Sequence, residues 1–77
     1  MWFKSNPEKK ALYREIRAAE KELAKKKKLL RKLIGQFMRE RNLSKARDLI
    51  TQANLLAFDI DRDIRLVDSM IDRYNAM

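Results

Sequence analysis

Apolar residues recur along the first half of the chain in alternating steps of four and three. They stand at Leu12, Ile16, Ala19, Leu23, Leu30, Leu33 and Phe37. That spacing gathers them on one stripe of a helix, the seam of a coiled coil. Lys26 is the one residue out of pattern, occupying a seam position between Leu23 and Leu30. A second series runs through Ala46, Ile50, Ala53, Ala57, Ile60, Ile64, Val67, Ile71 and Tyr74 without a polar interruption. Asn6-Pro7-Glu8 reads as a cap, a first helical position and an acid near the positive helix end. The pattern therefore predicts helices over residues 7–41 and 44–75. Asn42-Leu43-Ser44 is the expected break, with Asn42 in a left-handed backbone and Ser44 capping the second helix. Gly35 is a rival break, but Phe37 and Met38 carry the first pattern past it, and Gly inside a helix costs only about 1 kcal/mol against Ala.

Two long helices joined by about three residues must fold back on each other. In such a hairpin the numbers of facing residues have a near-constant sum. Pairing Leu12 with Tyr74, Ile16 with Ile71, Ala19 with Val67, Leu23 with Ile64, Lys26 with Ile60, Leu30 with Ala57, Leu33 with Ala53 and Phe37 with Ile50 gives 86 or 87 throughout. That sum centres the fold on residue 43, where the turn is placed independently. The fold class expected is all-α: a long antiparallel, coiled-coil-like helical hairpin. It forms a single domain over 1–77, which opens at 1–6 with an apolar N-terminal segment. A cation inside the seam must find a partner or escape to water. Asp63 lies beside the second seam and is the better candidate, with Asp59 the alternative. A Lys26–Asp63 structural ion pair would help hold the register, because a slip of one turn would strand the charge.

One seam does not account for all the apolar residues. Leu49, Leu56 and Met70 flank it, Leu55, Phe58 and Leu66 point further outward, and Tyr13, Leu29, Ile34 and Met38 are surplus on the first helix. No third element is available to cover them. Large exposed apolar patches are rare on soluble monomers, so a homo-oligomer or a permanent partner is expected, with Leu56, Phe58 and Leu66 as oligomer contacts.

Composition removes most chemistry. The chain has no Cys and no His. This excludes disulfides, zinc and iron–sulfur sites and any nucleophile paired with His. A single Gly cannot build a phosphate-cradling loop. Asp59-Ile60-Asp61-Arg62-Asp63 invites a calcium reading, but an EF-hand loop would want Gly and Glu where Ile64 and Met70 stand. No catalytic residue, metal or cofactor is expected, and the protein is read as a non-enzyme. No apolar run is long enough to span a membrane, and no signal peptide is expected.

Charge changes the picture more. Lys and Arg number 19 against 11 Asp and Glu, a net charge of +8. Residues 1–47 carry 16 bases against five Glu, whereas residues 48–77 carry three Arg against six Asp. On the first helix Lys10, Arg14, Arg17, Lys21, Lys25, Lys28 and Lys32 step by four or three along the side away from the seam. A merely soluble face usually mixes signs in i,i+4 pairs. A long stripe of one sign suits a polyanion, either anionic lipid or nucleic acid. Met1-Trp2-Phe3-Lys4 admits three readings: a disordered start, a contact to a neighbouring subunit, or a membrane wedge formed by Trp2 and Phe3.

The stretch from Leu23 to Leu49 resembles the first two helices of ESCRT-III proteins, a superfamily that includes the bacterial phage-shock membrane-remodelling proteins. The residues concerned are Leu30, Ile34, the basic helix end and then Asn42-Leu43-Ser44-Lys45-Ala46-Arg47. The resemblance implies a long basic hairpin with a short turn, an apolar N-terminal segment that inserts in membrane, and a role in membrane remodelling. The chain departs from that pattern in the acidic end of its second helix. The expected function is a self-associating, non-catalytic hairpin, cytoplasmic and peripheral to membrane, whose basic helix lies on an anionic lipid surface. A non-specific nucleic-acid-binding or packaging protein is the alternative, as is a small structural subunit of a larger assembly.

Overall fold

A computed structural model describes residues 6–77. They form two helices, α1 (Pro7–Arg39) and α2 (Leu43–Ala76), folded into an antiparallel hairpin. Its principal extents are 65 × 15 × 11 Å. Asn6 starts α1 by accepting hydrogen bonds on Oδ1 from the backbone N–H groups of Glu8 and Lys9, at 3.0 and 3.3 Å. Pro7 follows at a position where a missing N–H costs nothing.

The turn is Glu40-Arg41-Asn42, and it is made differently from the sequence expectation. Asn42 is extended, with φ −79° and ψ 117°, and caps α2 itself by accepting the Lys45 N–H at 3.2 Å. Ser44 lies inside the first turn of α2, so it is not the cap. No described residue has positive φ. The α1 end closes through Glu40, whose N–H donates to the Phe37 carbonyl at 3.2 Å and whose side chain accepts from the Asn42 N–H at 3.1 Å. The first helix thus stops at Arg39, two residues early, because both residues that bound the turn can satisfy local backbone groups. Gly35 is ordinary helix rather than a break.

In heptad letters, Ile16, Leu23, Leu30 and Phe37 of α1 are a positions and Leu12, Ala19, Lys26 and Leu33 are d. All eight are buried or half-buried. On α2 the a row is Ala46, Ala53, Ile60, Val67 and Tyr74, likewise covered. The fully buried core comprises Leu12, Ile16, Ala53, Ile60 and Val67. The second row on α2 differs from expectation. Leu49, Leu56, Asp63 and Met70 turn in as the d row, whereas Ile64 and Ile71 stay 43% and 38% exposed and Ala57 is exposed too. The helix is rotated by about one residue from the expected face. With these rows every a faces a d on the other helix, and facing numbers sum to 86 throughout. At the open end Tyr13 and Tyr74 meet with ring centroids 6.0 Å apart, and the Lys9 ammonium sits 4.7 Å above the Tyr74 ring.

A methyl group added at Gly35 would meet only the Arg39 guanidinium at 3.9 Å. Gly35→Ala is therefore expected to stabilise the hairpin by about 0.5–1 kcal/mol, through helix propensity and lost freedom of the unfolded chain. Thermal denaturation followed by circular dichroism should show a melting point several degrees higher.

Candidate anionic-surface interface

Each seam row on α1 leaves the opposite side of that helix to solvent. Lys10 and Arg17 fall at b, Lys25 and Lys32 at c, and Arg14, Lys21 and Lys28 at f, the positions furthest from α2. All seven are exposed. From Lys10 to Lys32 the row is about 33 Å long at the rise of an α-helix. Arg39, the last residue of α1, continues it about two turns beyond Lys32. Little acid neutralises it. Arg17 reaches Glu20 at 3.8 Å and Lys25 reaches Glu22 at 3.5 Å, both between well-exposed side chains. Such surface pairs contribute little, since water and salt screen them. The rest of the stripe has no ion pair among the described residues.

Leu29 is a member of this face that sequence reasoning placed only as surplus apolar surface. It lines a shallow depression with Lys25, Lys28 and Lys32. The signal was in the spacing, since those lysines stand four and one before it and three after. Trp2 and Phe3 lie outside the described residues. Of the expected oligomer contacts, Phe58 and Leu66 are 77% and 60% exposed. Leu56 is half-buried because it belongs to the inward d row of α2.

Charge on α2 is handled locally. Arg65 pairs with Asp61 at 3.1 Å and Arg62 with Asp59 at 2.9 Å. The second of these pairs joins a cluster around Lys26. The Lys26 ammonium lies 2.6 Å from Asp63 Oδ2 and 2.9 Å from Asp59 Oδ2. Sequence reasoning held the two carboxylates as alternatives, and both close on the cation. Asp63 does so from a d position, three residues along α2 from the facing Ile60, and Asp59 from the adjacent g position. The Lys26 side chain keeps 30% of its surface exposed, so this layer is half-wet rather than dry. Asp59 and Asp63 lie within continuous helix and are occupied by the ammonium, an arrangement unlike a calcium loop.

No family model, curated protein or solved structure matches the chain. No described helix is long and apolar enough to cross a membrane.

The cluster makes stability depend on pH. Hydrogen bonds to Asp59 and then Asp63 hold the Lys26 ammonium above its ordinary value of 10.5, against the opposing effect of burial. Its contribution is complete below pH 10.5 and is lost as pH rises through the raised value. The hydrogen bond from Lys26 holds Asp59 below its ordinary 3.8, helped by the nearby charges of Lys26 and Arg62. That contribution is complete above pH 3.8 and is lost as pH falls through the lowered value. Lys26→Leu would leave the two carboxylates facing one another. It is expected to be less stable than the parent at pH 7 in urea denaturation, with the deficit shrinking as pH is lowered toward 3. Lys26→Leu combined with Asp63→Leu should recover the loss at pH 7 by restoring an apolar layer.

Proposed function

We propose that this protein is a non-catalytic module that lays α1 along an anionic membrane surface and assembles with copies of itself. One observation carries the reading: seven cations occupy the outer positions of a single continuous helix, nearly free of acidic partners. A row about 33 Å long can rest on a flat surface along its whole length. Each Lys or Arg held near an anionic leaflet contributes about 1 kcal/mol. The stripe contains no Asn, Gln or aromatic residue with which to read or stack bases, which favours a surface of headgroups over a nucleic acid. Leu29 among three lysines supplies a small apolar contact at headgroup depth. Trp2 and Phe3 precede the start of this helix and act in the proposal as its membrane wedge. The likeness of the basic helix and the Asn42-to-Arg47 turn to ESCRT-III supports the same role, as does the cytoplasmic leaflet being the anionic one.

The test is co-sedimentation with vesicles of phosphatidylserine and phosphatidylcholine, set beside phosphatidylcholine alone and a duplex-DNA shift at equal salt. Binding should require the anionic lipid. Lys25→Glu, Lys28→Glu and Lys32→Glu together should weaken it by roughly a hundredfold or more, on the scale of about 1 kcal/mol per removed base. Trp2→Ala with Phe3→Ala should weaken it further at physiological salt. DNA binding with a steep salt slope, and no sedimentation with vesicles, would overturn the membrane reading.

A further inference from the structure

The two flanks of the hairpin are unlike. On one side, beside the Lys26 cluster, the g rows carry Glu15, Glu22, Asp59 and Arg73 among others, and Leu29 and Leu66 are their only apolar residues. On the other side the e row of α2 is Ile50, Ala57, Ile64 and Ile71, without a single polar residue. Across the groove, the α1 e row is Tyr13, Glu20, Lys27 and Ile34, apolar at its two ends and charged between them. Tyr13, Ile34, Ile64 and Ile71 are between 38% and 50% exposed. A helix that is apolar at a, d and e presents a face wider than one partner can cover, which is the pattern of helices in a bundle rather than in a two-stranded coil.

We infer that this flank is the interface for a second copy of the chain, giving a four-helix bundle. The size of the surface fits. Helices about 50 Å long and 8–10 Å apart offer a flank on the order of 1,000 Å², against about 800 Å² per partner in a stable interface. The need for cover is also measurable. The chain exposes 6572 Å², where a compact monomer of its mass would expose about 4,900 Å².

Charge selects the arrangement. α1 holds twelve bases and four Glu, whereas α2 holds five bases and six Asp. Stacking α1 on the α1 of a second copy would oppose two strongly positive helices. Turning the second copy about the long axis places each α1 on the other copy's α2, antiparallel to it, with both turns at the same end. In the hairpin register this brings Arg17 level with Asp68 of the second copy, and Lys27 nearly level with its Asp61. The outer row Leu55, Phe58 and Leu66 is narrower, confined to α2 and interleaved with Arg62 and Arg65, so it is left outside this contact. The inference does not depend on the membrane reading, because its apolar contacts lie on the flank and it draws on the stripe only through Arg17.

Sedimentation equilibrium without lipid tests it. The parent chain is expected at twice its 9.2 kDa mass. Ile64→Lys, and separately Ile34→Lys on the other helix, should each give a helical monomer. Phe58→Lys should leave the dimer intact. The chain has no Cys, so Arg41→Cys gives one spin-label site in the turn. Its dipolar distance in the dimer should be about 20 Å, the width of a bundle. A parent that stays monomeric at millimolar concentration would overturn the inference. So would a dimer dissolved by Phe58→Lys but not by the two isoleucine variants, or labels separated by roughly the 65 Å length of the hairpin.

Discussion

Lys26 stands in the middle of an apolar seam, and the rest of the hairpin is arranged around keeping it charged there. An ammonium among leucines is unfavourable unless carboxylates come to it. Asp63 comes from across the seam and Asp59 from beside it, with Arg62 holding the far oxygen of Asp59. The cluster lies nearly halfway along both helices. An error of one heptad in their pairing would put Leu56 or Met70 where Asp63 meets the cation and leave two acids without it. Apolar seams tolerate such slips because every layer resembles the next. A single ionic layer does not, and this is the use of polar seam residues that is best supported physically.

That layer also determines which surfaces are left over. Turning Asp63 inward carries Leu49, Leu56 and Met70 with it, since all four share one row of α2. The adjacent row of Ile50, Ala57, Ile64 and Ile71 is then displaced toward solvent. A pair of helices has only one seam, so it can fully use only two of the three apolar rows on α2. The exposed isoleucines and the ionic layer are two consequences of one rotation.

The separation of roles between the helices follows from the same economy of surface. α1 places its covered apolar residues on the seam, leaves Tyr13, Leu29, Ile34 and Met38 exposed beside it, and gives its outer side to lysine and arginine. Those cations are spaced so that none must be buried, and the few acids nearby are exposed and weakly paired. α2 instead pairs its charges within itself, through Asp59–Arg62 and Asp61–Arg65, and keeps apolar residues on several sides.

The period of the pattern determined much of this without coordinates. Alternating steps of four and three require helices, Asn6-Pro7 marks where the first begins, and a turn near residue 42 requires them to pair at sums near 86. The exposure of Lys10 through Lys32 followed as well, because residues opposite a seam have nowhere else to go. The cap of α2 was misassigned to Ser44, since Asn42 and Ser44 can each accept a backbone N–H and only the path of the turn distinguishes them. The inward row of α2 was also beyond the sequence. Ile60 and Val67 are compatible with either neighbour, 63 and 70 or 64 and 71, and hydrophobicity alone favours the isoleucines. Tertiary structure chose the row containing an aspartate, because the contact between Asp63 and Lys26 exists only when the two helices are together. Local patterning counts apolar residues along one helix, and it cannot weigh a charge that the other helix supplies.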